Sequence, residues 1–317
     1  MTRARLLNLI GVLIGIAGIV FVTVRIVRDW DDIVDALATA DIGWLVVAFV
    51  SGLAAMTLIG INWLWIIRAA DVPASWRRGL SWFFVGQLGK YVPGGIWPIV
   101  GQAELAHRSA TPRPVAYTST AMSMVATFLG AATVGAITGL IAAPEARWIP
   151  ALIAVGLVVV FVALASTRVR AAAHRLIDRV ARRELRLPSA RWLIVLVTRH
   201  LPVWILFAGM NVFTVEALGT ELDRTLVLQL IYATCLSWMA GFVVIGVPGG
   251  IGVRETVFIS MMTGPLGGPL AVSVAVVSRV VSVAVDLVGA AASVPVAGTA
   301  PPAPRSEADE PTSYAAP

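Results

Sequence analysis

Six ionisable residues interrupt or border strongly apolar sequence: Lys90, Glu104, Arg254, Glu255, Arg279 and Asp286. A charge at the centre of an isolated membrane helix costs roughly 2.5–3.5 kcal/mol on insertion scales, so such groups pair, face a cavity or lie at an interface. Glu104 and Arg108 are four apart and can meet on one helix face. Arg279 and Asp286 are seven apart on a shared face, and Arg279 falls near the middle of its apolar segment. Arg254 and Arg279 carry guanidinium forks that can bind phosphate bidentately. Lys90 adds a further cation, while Glu104 and Glu255 could hold those cations in place or meet a basic headgroup. The plainer reading of each residue is an internal ion pair that only holds helices together.

The elements that must position these side chains centre on a repeated pentapeptide. Val92-Pro93-Gly94-Gly95-Ile96 recurs as Val247-Pro248-Gly249-Gly250-Ile251, with a glycine six residues before each valine, at Gly86 and Gly241. Proline removes a backbone donor and glycine weakens a helix, so both copies break their apolar segments. In a membrane the freed backbone groups need partners in neighbouring helices or in a water-lined cavity. Two breaks at corresponding places point to a site at a repeat interface. Lys90 sits at the first break, and Arg254 and Glu255 fall on the first turn of the half-helix after the second. Free N–H groups at that helix start are expected to favour phosphate.

Composition sets the class. Of 317 residues, 58% are hydrophobic and 13% charged, with mean hydropathy +0.86; a soluble domain sits far below that apolar content. The fold class is an all-α polytopic membrane protein. Residues 1–297 are expected to form one transmembrane domain, and the Pro- and Ala-rich stretch 298–317 a disordered tail. The single cysteine, Cys235, reads as a small buried residue and excludes an intrachain disulfide. Arg3 and Arg5 precede a long apolar run without an A-x-A cleavage site, which reads as an anchor.

Candidate spans are 6–27, 42–67, 114–142, 148–167, 192–215 and 270–296. Between the first two, Trp30, Ile33, Val34 and Leu37 recur at helical spacing opposite aspartates, which predicts a short amphipathic helix on the outer surface. Segment 80–106 has Arg68, Arg77 and Arg78 before it and His107, Arg108 and Arg113 after it. Basic flanks on both sides suit a re-entrant hairpin that enters and leaves on the cytoplasmic side; one kinked span is the alternative. Segment 225–263 is the second broken stretch, closed by a turn at Gly264-Pro265 and Gly267-Gly268-Pro269. Three spans lie between the two breaks, so the second hairpin would enter from the opposite face. The expected architecture is about six spans plus two re-entrant hairpins arranged as inverted repeats, with both termini cytoplasmic in the cell membrane. Ser119, Ser123, Gly130, Gly135 and Gly139 would let helices approach closely in span 114–142. Stretch 168–191 holds eight arginines against Asp178 and Glu184 and suits a basic amphipathic helix on the inner leaflet, as a topological anchor or a headgroup contact.

Other chemistries lack their signatures. His107, His174 and His200 are scattered without ligand spacing, so no catalytic metal is expected. No Walker A, dinucleotide glycine fingerprint or G-x-S-x-G elbow occurs, so no cofactor is expected. The net charge of +6 is concentrated in a few loops, which suits anionic lipid rather than nucleic acid.

Two stretches resemble the lysylphosphatidylglycerol synthase transmembrane (flippase-like) family. Val247-Pro248-Gly249-Gly250-Ile251-Gly252-Val253-Arg254-Glu255 with Ser278-Arg279 carries the more specific likeness. Gly89-Lys90-Tyr91-Val92-Pro93-Gly94-Gly95 with Gly101 and Glu104 is similar to the family's earlier signature. The resemblance covers about 5–296 and implies a membrane module that moves aminoacylated or glycosylated lipids between leaflets. Trp97-Pro98 departs from the pattern. Bifunctional relatives carry a large soluble aminoacyl-transferase domain that has no counterpart in these residues, so a non-enzyme is expected.

The leading expectation is a flippase-like transporter for a lipid with an anionic or modified headgroup, or a polyprenyl-phosphate carrier. Its candidate lipid-binding residues are Lys90, Gly94, Gly95, Glu104, Gly249, Gly250, Arg254, Glu255 and Arg279. The alternatives are a scaffold or partner of a lipid-modifying synthase or glycosyltransferase, which the 168–191 helix could dock, and an intramembrane enzyme with Glu104 or Glu255 as base.

Overall fold

The computed structural model describes residues 16–17, 19–92, 97–109, 111–143, 147–166, 190–244 and 247–297. The predicted basic helix 168–191 lies almost wholly outside them, as do the 298–317 tail and residues 93–96 of the first break. Every described element is helical. After a helical stretch at 19–28 come α1 (Trp30–Ala38), α2 (Ile42–Arg68), α3 (Trp76–Gln87), α4 (Trp97–Arg108) and α5 (Arg113–Ala142). Then follow α6 (Trp148–Ala165), α7 (Ala190–Ala217), α8 (Arg224–Val243), α9 (Val253–Leu266) and α10 (Gly268–Ala297). Short 3₁₀ turns, Leu88–Tyr91 and Pro248–Gly250, follow α3 and α8.

Local sequence explains the boundaries. Asp41 accepts the Gly43 N–H at 2.7 Å and so caps α2, and Asp223 accepts from Leu226 at 2.6 Å and caps α8. Gly249, Gly250 and Gly252 all take positive φ, a region that side chains other than glycine rarely adopt, so the second Pro-Gly-Gly stops α8 and restarts the chain as α9. The predicted turn near 264–269 is narrower than expected: Gly264 and Pro265 stay inside α9, and Gly267 alone makes the reversal.

Among the described residues, five helices are long and apolar enough to cross a membrane: Ile42–Arg68, Arg113–Ala142, Arg191–Ala217, Arg224–Val243 and Gly268–Val294. Trp148–Ala163 is a shorter apolar helix. One of the five, α8, was expected to be only a hairpin arm. Its 20 residues meet the length a span needs, yet Gly249 and Gly250 turn the chain back, and α9 packs along α8.

Contacts between side chains set the direction of each helix. Trp44 stacks on Phe213 and Trp65 on Trp192, so α2 and α7 run antiparallel. Gly60 meets Phe83 while Gly79 meets Leu64, so α3 turns back along α2. Ser81 donates to Ser293 O while Phe84 packs on Gly289, so α3 is antiparallel to α10. In the second half Gln229 donates to Ala142 O and Cys235 packs on Gly135, so α8 is antiparallel to α5. The pattern repeats when α2, α3, α4 and α5 are exchanged for α7, α8, α9 and α10. The α3–α4 hairpin therefore rises from one end of the bundle and the α8–α9 hairpin from the other, as inverted repeats require.

Each half has its own core. Trp63, Leu64, Trp82, Phe83 and Phe84 fill the first; Leu230, Phe258, Ile259, Met262 and Val272 fill the second. Lipid tails are as apolar as these side chains, so close packing and interhelical hydrogen bonds hold the bundle, at roughly 0.6–2 kcal/mol per bond. Ser51 donates to Leu206 O at 2.7 Å, Asn62 to Arg199 O at 2.9 Å and Trp204 to Thr127 O at 2.8 Å. The small residues of α5 serve the expected close approach: Gly130 faces Trp204, and Gly139 faces Tyr232. Cys235 is fully buried. On α1 only Ile33 is buried in protein, and Trp30, Val34 and Leu37 stay exposed, as a surface-lying helix requires.

Candidate functional site where the two breaks meet

The two 3₁₀ turns touch. A Cβ built at Gly249 would stand 3.2 Å from Arg279 Nη2 and 3.6 Å from Lys90 O, so the tip of the second hairpin lies against both the first tip and the middle of α10. The glycines six residues before each break permit this geometry. Gly86 faces the backbone of Gln102, with only 2.8 Å available to a Cβ, and Gly241 faces the Arg254 side chain and Gly250.

Five of the six charges set in or beside apolar sequence converge here, four of them expected at the site. Lys90 Nζ lies 2.6 Å from Asp286 Oδ2, and Tyr91 donates its hydroxyl to the same oxygen at 2.6 Å. Arg279 Nε lies 3.6 Å from Glu255 Oε1. Arg254 places its guanidinium 5.5 Å from the centre of the Trp238 ring, a cation–π contact, and its buried Nε has no hydrogen-bond partner among the described residues. Asp286 is 1% exposed and Glu255 9%, so both carboxylates depend on these partners. A single helix, α10, thus supplies the counter-charge to each hairpin: Asp286 to the first and Arg279 to the second.

Arg254, Glu255 and Arg279 line a cleft bounded by α7, α8, α9 and α10. Asn211, Thr234, Ser237, Ser278 and Ser282 contribute its polar wall, and Phe207, Trp238 and Phe258 its aromatic one. The cleft belongs to the second half alone. At the spacing that separates Val92 from Val247, Trp238 corresponds to Phe83 and Ser237 to Trp82, both of which are buried core in the first half. Arg254 and Glu255 correspond to Ile99 and Val100, so the first half lacks the charges as well as the space.

Two expectations change. Glu104 does not join the cluster; it pairs with Arg108 at 3.4 Å and Arg113 at 3.5 Å, at the far end of the α3–α4 hairpin from Lys90. The start of α9 is not an open anion site, because Glu255 Oε2 accepts the Gly252 N–H at 2.6 Å and already sets a negative charge there. Arg279 and Asp286 share a helix but serve different partners. Gly249 and Gly250 shape the second tip, whereas Gly94 and Gly95 lie outside the described residues. Asp286 was noted as an apolar-segment charge but not as part of the site; its pairing with a residue 196 positions earlier leaves no local sequence signal. Tyr91 and Trp238 were likewise missed, although Tyr91 adjoins Lys90 in the first break.

A family model described as the lysylphosphatidylglycerol synthase TM region matches residues 8–289. The chain belongs to this family. The match spans both halves of the bundle, and every residue of the charged cluster lies within it. Membership makes this a multi-pass membrane protein of a module associated with lipid modification or transport, and the model concerns the transmembrane region, not a catalytic domain. No curated protein matches the chain.

Proposed function

We propose that this protein is a flippase-like transporter that moves a phosphate-bearing or modified-headgroup lipid between leaflets. The observation that carries the reading is the meeting of two oppositely directed broken helices at a partly buried cluster of Lys90, Asp286, Arg254, Glu255 and Arg279. Buried charges in a membrane bundle are costly and face one another or a polar cavity; here they do both. A headgroup would enter the second-half cleft and meet Arg254 and Arg279, while the acyl chains stay in the bilayer. Because each tip is tied to α10 by an ion pair, rearranging those pairs could rock one hairpin against the other and change which leaflet sees the cleft.

Orientation follows from charge. Arg68, Arg77, Arg78, Arg108 and Arg113 gather at the end where α2 stops and α5 starts. Asp31, Asp32, Asp35, Asp41, Glu216 and Asp223 gather at the other, together with Arg147 and Arg224. We assign the arginine-rich end to the cytoplasm of a cell membrane. The test of transport is leaflet accessibility of a labelled lipid in vesicles with and without the full chain. Protein-dependent translocation that falls in Arg254→Ala and Arg279→Ala supports the reading; equal translocation with and without protein refutes it.

A further inference from the structure

The cleft has an unbalanced charge, and this narrows what it can hold. Two cations, Arg254 and Arg279, line it with one carboxylate, Glu255, while Lys90 and Asp286 at the first tip neutralise each other. Both carboxylates are committed. Asp286 Oδ2 takes Lys90 Nζ and the Tyr91 hydroxyl, each at 2.6 Å. Glu255 Oε2 takes the Gly252 N–H at 2.6 Å, and its Oε1 faces Arg279. Arg254 makes no ion pair among the described residues. In sequence, the stretches that complete the two breaks, Pro93, Gly94, Gly95, Ile96, Ile245 and Gly246, carry no ionisable side chain.

The neutral wall adds a second constraint. Thr234 donates to Leu230 O at 2.7 Å, Ser237 to Thr234 O at 3.1 Å and Ser278 to Ala275 O at 3.3 Å. Each of these hydroxyls has spent its one proton on its own helix and offers only lone pairs to the cleft. In this arrangement they present acceptors to a ligand hydroxyl rather than donors to a phosphate oxygen. Asn211 spends one Nδ2 proton on Thr234 at 2.9 Å, and Arg254, with Arg279 beside it, is the positively charged donor set that meets the anion.

We infer that the cleft selects a net-negative phosphate headgroup bearing hydroxyl groups and no ammonium substituent. Arg254 meets the phosphate, and Ser237 and Ser278 accept from the headgroup hydroxyls. A cationic aminoacyl substituent finds no free carboxylate and is repelled by the surplus guanidinium. This rests on the transporter reading, in which the same cleft holds the headgroup.

The test measures binding to the detergent-solubilised full chain, separately from translocation, with three probes: phosphatidylglycerol, its lysyl ester on the same acyl chains, and glycerol 3-phosphate. The expected result is at least tenfold tighter binding of phosphatidylglycerol than of the lysyl ester, abolished by Arg254→Gln and reversed by Arg254→Glu. Lysyl-ester binding equal to or tighter than phosphatidylglycerol in the wild type overturns the inference even if both variants fail to fold, and so does binding of none of the probes. Glycerol 3-phosphate competing as well as the lipid upholds the anion selectivity but assigns it to a water-soluble ligand. Selective phosphatidylglycerol binding without translocation sinks the transporter reading alone, and translocation with a lysyl-ester preference sinks the selectivity alone.

Discussion

Lys90 and Asp286, separated by 195 intervening residues and lying in opposite halves of the chain, meet at 2.6 Å, with Asp286 almost wholly enclosed and Lys90 about one-fifth exposed. The pair joins the tip of the first hairpin to the last helix. Removing one partner of a buried pair costs roughly 3–5 kcal/mol when the other charge is left enclosed. The two single substitutions should therefore differ. Lys90→Met strands a buried carboxylate and should lower stability strongly. Asp286→Asn strands a cation that retains some exposure, and should lower it less. The double change Lys90→Met with Asp286→Leu should recover most of the loss. Unfolding of the purified protein in detergent measures all three, and equal costs for the two single variants would contradict the burial asymmetry.

Gly86 and Gly241 occupy matching positions but face different neighbours. A Cβ at Gly86 meets the backbone of Gln102, which cannot move without separating α3 from α4. A Cβ at Gly241 meets the flexible side chain of Arg254. Gly86→Ala should cost about 1–3 kcal/mol, the usual range for overpacking. Gly241→Ala should leave stability closer to the wild type while displacing Arg254 and weakening headgroup binding. Thermal unfolding and lipid binding, run on the same preparations, separate the two effects.

Arg279 is the only described cation positioned to hold Glu255 while also reaching the second tip at Gly249. Arg279→Lys keeps the charge but loses the planar fork. We expect the rate of lipid translocation to fall at least about tenfold, which corresponds to about 1.4 kcal/mol. Arg279→Ala should fall further, because it also leaves Glu255 without its cation. A translocation rate unchanged in Arg279→Lys would limit the residue's role to charge.

The inverted arrangement predicts labelling from opposite faces. The lone cysteine, Cys235, is buried, so a Cys235→Ala background lets a single introduced cysteine report alone. Arg77→Cys and Arg113→Cys should react with an impermeant thiol reagent only from the cytoplasmic side. Asp32→Cys and Glu221→Cys should react only from the opposite side. Labelling of Arg77→Cys and Glu221→Cys from one and the same face would exclude inverted hairpins.

Much of this architecture is written in local sequence, because membrane insertion reads local properties. Apolar length marks α2, α5, α7 and α10, and the alternation of Trp30, Ile33 and Leu37 with aspartates marks α1. Proline and glycine act on their own backbone, so the break between α8 and α9 was legible at Pro248-Gly249-Gly250. An odd number of spans between the breaks was enough to imply inversion. The pairing of charges was not legible, because it depends on which helices become neighbours. Glu104 had a partner four residues away and took it, together with Arg113, at the end of its hairpin. Asp286 and Arg279 share a face two turns apart, and which residue each would pair with, Lys90 and Glu255, depended on the hairpins that pack against α10. Charge beside the second break, Arg254 and Glu255, already favoured that copy for ligand contact; only the tertiary structure decided that there is space beside it, since Trp82 and Phe83 pack into the core of the first half with apolar rings, while Ser237, Trp238 and Arg254 line a cleft in the second.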